Sequence, residues 1–137
     1  MKTVAEMPMT LVPELETPEA RKALAEGVMA LLFRWGLEDR DQLVLLGLSN
    51  PDDLERYRQG EPLPESKELL ERVGHLFAID RTFQKSFRSV PGFRDWWMRT
   101  AAPGLGYHSP LEVVRRRGLE GLRSVRQYLE ASVRSKQ

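Results

Sequence analysis

Two histidines and a run of three arginines, in a sequence without cysteine, are the first side chains to weigh for chemistry. His108 precedes Ser109, but adjacency along a chain does not make a base and a nucleophile, because such sets are defined in space. Ser109 has a sufficient job elsewhere. Ser109-Pro110-Leu111-Glu112 reads as a capping box, in which serine and glutamate satisfy each other's orphan backbone donors. His75 lies beside Leu76 and Phe77 at the end of a helical stretch, and neither histidine has clustered carboxylates around it. Metal binding is therefore not expected. Gly104-x-Gly106 is too short for a phosphate loop and follows no strand. The absence of cysteine excludes disulfides, thiolate nucleophiles and cysteine-held metals. No acid–base–nucleophile set can be assembled, so the expectation is no enzyme, no cofactor and no metal.

What remains is recognition chemistry. Arg115, Arg116 and Arg117 stand just before Gly118. One reading is a solvated helix end, where cations complement the negative C-terminal dipole. The other is pairing with carboxylates, on a partner or on this chain's own acidic half, with DNA phosphate as a further option. Successive helical positions fan out by roughly 100°, so the three arginines cannot all serve one flat surface. Trp96 and Trp97 also face different directions. Trp97 is expected in the core and Trp96 at a contact, since tryptophan is enriched among interface hot spots.

These residues need helices to hold them. Thr17-Pro18 is a cap followed by proline at the first helical position. Leu24, Val28, Leu31 and Trp35 follow at helical period, up to Gly36. A short helix is predicted from Asp39 to Leu46, closed by Gly47. Asn50-Pro51 opens another that runs to about Gln59. A longer helix spans roughly Glu65 to Ile79, with Leu69, Val73, Leu76 and Phe77 inward. Asp80 is read as the cap of one or two further turns carrying Phe83 and Phe87, broken by Pro91-Gly92. Phe93 to Thr100 gathers Phe93, Trp96 and Trp97. After the loop with Pro103, the capped helix ends at Gly118 and the last one starts near Leu119, with Leu122, Val125, Leu129 and Val133 as its stripe. No alternating β-branched run appears. The predicted class is all-α, seven or eight short helices in a compact multi-helix protein.

Its domains are read as a flexible arm at 1–17, a helix-turn-helix unit at 18–80 and a C-terminal helical unit at 81–137. Charge divides along the same line. Residues 1–80 hold 9 Lys+Arg and 16 Asp+Glu, net −7, and residues 81–137 hold 12 and 4, net +8. Such polarity can hold the halves together, keep one off nucleic acid, or steer a partner to one end. No basic segment followed by an apolar core opens the sequence, and no apolar run approaches a membrane span. The expectation is a soluble, cytoplasmic protein with no membrane partner.

Two stretches together resemble a known family. "FRWGLEDRDQLVLLGLSNPDDLERYRQG" at 33–60 has a helix-turn-helix rhythm, with Leu43, Leu46 and Leu54 placed to pin two helices at a fixed angle. "FRDWWMRTAAPGLGYHSPLEVVRRRGLEGLRSVRQYLEA" at 93–131 resembles the toxin-binding domain of the Xre/MbcA/ParS antitoxin family. Trp97, Pro103, Leu105, Gly106, Ser109, Pro110, Leu111, Glu112 and Gly118 carry that likeness, and the whole resemblance spans about 24–133.

It implies the antitoxin of a type II toxin–antitoxin pair, whose partner is a RES-domain toxin that depletes NAD. It also implies that the C-terminal domain covers the toxin's active-site entrance and that the N-terminal part represses the shared operon. The candidate toxin contacts are Trp96, Leu105, Tyr107, His108, Arg115, Arg116, Arg117, Arg134 and Lys136. Arg134 and Lys136 belong to the tail "SVRSKQ", read either as a frayed helix end or as an insert into the partner. The candidate contacts to operator DNA are Asn50, Arg56, Arg58 and Gln59, in a homodimer that pairs half-sites. Against DNA stand Asp52, Asp53 and Glu55, which repel phosphates from that helix. The alternative is a stand-alone helix-turn-helix transcriptional regulator without a toxin.

Overall fold

Thr17 Oγ1 accepts from the Ala20 backbone N–H at 3.1 Å, and the chain turns helical at Pro18, as a threonine cap before proline should make it. We describe the protein from a computed structural model covering residues 17–87, 90 and 92–134. All of the predicted arm but Thr17, together with Pro91 and Lys136, lies outside the described residues. Helix α1 is Pro18–Trp35, α2 Asp39–Leu46, α3 Pro51–Arg58, α4 Lys67–Phe87, α5 Phe93–Arg99 and α6 Pro110–Arg134. A 3-10 turn, Pro103–Leu105, lies between the last two. Strands are absent among the described residues, which hold one isolated bridge, Ala102 to His108. The all-α class stands.

The starts and stops of α1 to α3 fall where local chemistry put them. Gly36 and Gly47 close α1 and α2 in the left-handed conformation, and the Asn50 side chain accepts from Asp52 N at 2.9 Å to open α3. The count of helices falls to six among the described residues, because two predicted pairs are each joined: one in α6, across the non-helical Gly118, and one in α4. The predicted break at Asp80 does not occur, because neither proline nor a capping turn interrupts 67–87 and the helix runs through. Asp80 is instead a buried acceptor in mid-helix. Trp35 Nε1 donates to it at 2.8 Å, Gln84 Nε2 at 2.7 Å and Arg34 at 3.2 Å. The start also shifts slightly, since Ser66 Oγ accepts from Leu69 N and α4 begins at Lys67. Phe77 is only partly buried, its ring lying over Gly27 of α1.

Helix α4 is the centre of the molecule and packs on α1, α2 and α6. Val28, Leu31, Leu32 and Trp35 of α1, Leu45 and Leu46 of α2, and Leu54 of α3 share one core with Val73, Leu76, Ile79 and Phe83 of α4. Met98, Leu122, Val125 and Leu129 close it from the rear. Each such side chain contributes about 1.5–3 kcal/mol by leaving water. Through this core runs a line of rings: Trp35 to Phe83 at 5.4 Å, Phe83 to Trp97 at 5.4 Å, and Trp97 to Tyr128 at 6.3 Å. The first two contacts are edge-on, the favoured arrangement for aromatic quadrupoles. Trp97 is thus a structural link from α1 to α6, as expected, and Trp96 is left more than half exposed.

The charge boundary between Asp80 and Arg81 lies within α4, and ion pairs join the two sides of it. Arg99 Nη2 reaches the buried Asp41 at 2.6 Å, Arg94 lies 3.6 Å from Asp80, and Arg123 pairs with Glu71. Opposite charge therefore holds acidic and basic halves together.

Candidate partner-binding site

Residues 100–118 build a small platform on the basic half. Pro103 and the 3-10 turn bring the chain round, and Ala102 and His108 close the loop with a backbone bond of 3.1 Å. Gly106 and Tyr107 both sit at positive φ, 68° and 64°, while His108 N donates to Leu105 O at 3.3 Å. Two successive left-handed residues are what a type I′ turn requires. For Tyr107 this is an unusual backbone state. Its effect is to stand the ring outward, 76% exposed.

Ser109 then caps α6, its Oγ accepting from Glu112 N at 3.2 Å. The other half of the expected box is replaced. The Glu112 carboxylate turns along the helix, where Arg115 Nη1 donates at 2.6 Å and Arg116 Nε at 2.9 Å. Those two guanidiniums, Arg116 foremost, hold the Glu112 carboxyl below its usual range. One carboxylate thus serves two cations. Arg117 makes no ion pair among the described residues, and all three arginines are exposed.

Between the 3-10 turn and α6 lies a cleft of about 590 Å³. It gathers four of the sequence-predicted contacts: Leu105, His108, Arg116 and Arg117. Val113, Ser124, Gln127 and Tyr128 complete it. The latter three were not found by sequence reasoning, since they come from beyond the Gly118 break. The one available signal was that Gln127 and Tyr128 fall off the apolar stripe of the last helix. Gly104 lets the turn approach: a Cβ there would lie 2.4 Å from a Tyr128 ring carbon. Trp96, Tyr107 and Arg115 lie outside the cleft lining, and Arg134 lines a separate hollow of about 310 Å³ with Thr82, Lys85, Ser86, Glu130 and Val133.

The predicted DNA contacts form a different picture. Asn50 is spent on its cap. Arg56 pairs with Asp53 at 2.9 Å and Glu61 at 2.8 Å. Arg58 pairs with Asp39 at 2.7 Å, also donating to Gln42 at 3.1 Å, and Gln59 donates to Glu55 at 3.4 Å. Hydrogen bonding from Arg58 is the main reason the Asp39 carboxyl is held low. Every cation of α3 is matched by a carboxylate.

His75 and His108 do not meet in one described pocket, and no group of three or more His, Asp or Glu suited to a metal ion occurs among the described residues. No described helix is long and apolar enough to cross a membrane.

Residues 84–132 match the family described as the antitoxin Xre/MbcA/ParS C-terminal toxin-binding domain. The match begins in α4 and takes in α5, the turn, the cleft and nearly all of α6. It is thus a toxin-binding domain of antitoxins that this part of the chain is similar to, and the stretch at 33–60 lies outside it. No curated protein matches the sequence.

Proposed function

We propose that this chain is the antitoxin of a toxin–antitoxin pair and neutralises its toxin by covering it, without chemistry of its own. The observation that carries the reading is the match at 84–132 falling on the segment that builds the exposed turn, the cleft and the cationic helix end. On this reading Tyr107, Trp96 and Arg115 to Arg117 face the toxin, with Leu105 and His108 behind them and Arg134 at the far end of α6, and Lys136, outside the described residues, joins them as a contact. A few exposed aromatic and arginine anchors are the usual carriers of interface energy.

The finer parts rest on the wider resemblance over about 24–133, beyond the matched segment. The toxin is a RES-domain protein that depletes NAD, and the antitoxin works as a homodimer that represses its own operon through α3. Operator contact has a stated cost, because Arg56 and Arg58 must give up Asp53, Glu61 and Asp39.

The test is co-expression with the adjacent open reading frame, followed by co-purification and a growth-rescue assay. A stable complex and rescue are expected, with rescue weakened by Tyr107→Ala and Arg117→Glu, both at exposed positions. A well-folded chain that binds no neighbour would overturn the reading. The operator part is tested separately by promoter binding. It should weaken steeply with salt and fall with Arg58→Ala, and binding indifferent to both Arg56→Ala and Arg58→Ala would remove α3 from it.

A further inference from the structure

The cleft beside the 3-10 turn has the chemistry of a carboxylate seat. Arg116 and Arg117 stand on its rim, Ser124 and Gln127 supply neutral hydrogen-bonding groups, and Leu105, Val113 and Tyr128 supply apolar surface. Among the described residues no Asp or Glu lines it. Glu112 is already shared between Arg115 and Arg116, and Arg117 has no ionic partner among the described residues. The site therefore carries uncompensated positive charge inside a half whose net charge is +8. Arginine's planar fork suits a carboxylate in two-point contact.

Its floor is fixed. Tyr128 stacks on Trp97, and the turn sits against the ring only because Gly104 has no side chain. Its size lies within the range of pockets that take side chains or small ligands. Its rim is open: Gly104, Gly106, Arg116 and Arg117 are all exposed. A small molecule would stay largely wet here, whereas a chain passing across the rim can lower side chains into it.

We infer that this cleft seats an extended acidic segment of the partner protein, with one glutamate or aspartate on Arg116 and Arg117 and a neighbouring apolar side chain on Leu105, Val113 and Tyr128. The inference deepens the antitoxin reading and rests on it for the partner's identity, but the cleft's preference can be measured without the toxin.

The probe is a fluorescein-labelled hexapeptide alternating leucine and glutamate, titrated by anisotropy against the full chain. Its counterpart with glutamine in place of glutamate should bind at least about tenfold more weakly, a difference of roughly 1.4 kcal/mol. Arg117→Glu should abolish binding while circular dichroism and melting stay as in the wild type. Arg81→Glu, an equal change of charge at an exposed site on α4, should leave binding nearly unchanged. Equal affinity for both peptides, absence of binding at millimolar peptide, or displacement by inorganic phosphate at peptide-like concentrations would each overturn the proposal. The two readings fail separately. A chain that binds the glutamate peptide but no toxin sinks the antitoxin reading alone. A chain whose Arg117→Glu variant captures toxin as well as the wild type sinks the cleft as the partner's seat.

Discussion

Tyr107 keeps a left-handed backbone that asparagine or glycine adopts more easily, and its ring gains nothing from burial in return. Strain of this kind, on the order of 1–2 kcal/mol, persists where the surrounding loop over-determines it. Here the Ala102–His108 bridge and the bond from Tyr107 N to Ala102 O at 2.9 Å do so. Tyr107→Asn is accordingly expected to unfold at the same or slightly higher denaturant, within about 1 kcal/mol, while toxin capture weakens. Loss of both stability and capture would show that the ring supports the loop and does not face a partner. Asp80 is the opposite case, a residue whose whole worth is internal. Asp80→Ala would strand the Trp35 indole N–H, which is buried with it, and leaving such a donor unmet costs about 1–3 kcal/mol.

Among the elements, α6 depends most on one joint. Gly118 has φ 61° and ψ −133°, a combination almost closed to other residues, and a Cβ there would come 3.3 Å from Arg72 Nη2. Gly118→Ala should cost about 1–3 kcal/mol in chemical denaturation. Because the joint sets how 119–134 returns past the turn, the same variant should disturb the cleft, read as weaker peptide binding. An unchanged denaturation midpoint would mean that the two segments tolerate a straight helix. This joint was legible in the sequence, as were the ends of α1, α2 and α3, because caps, prolines and glycines act on their nearest neighbours. The continuity of α4 was not. Asp80 looks like a cap when only its neighbours are seen, yet its partner Trp35 is 45 positions away. The candidate site divides in the same way. Leu105, His108, Arg116 and Arg117 announce themselves by loop and charge, while Ser124, Gln127 and Tyr128 join them only once Gly118 folds the last segment back.

At the scale of the molecule, the seam between α4 and α6 carries a proton-sensitive group. Arg126 Nη1 lies 3.1 Å from His75 Nδ1. A guanidinium can only donate, so Nδ1 must be the bare nitrogen, and the ring's proton sits on Nε2, 3.5 Å from Glu71. Glu71 is also held by Arg123, which is the main reason its carboxyl titrates below the usual range. Burial first, and Arg126 next, press the His75 pKa down from its ordinary 6.5. Protonating His75 would place a second cation against Arg126. The direction of the effect on stability follows. As pH falls through about 6.5 the unfolded chain takes up a proton that the native chain refuses, so stability drops, levelling once the native ring is protonated too. The Glu71 contribution is present above about 4.5 and is lost only as pH falls through its lowered native value, so the two windows separate. Denaturant midpoints should therefore decline between pH 7.5 and 5.5 in the wild type and decline less in His75→Gln, with Glu71 charged throughout. An equal decline in both proteins would take the proton away from this seam and leave the α4–α6 contact governed by its arginine–glutamate pairs alone.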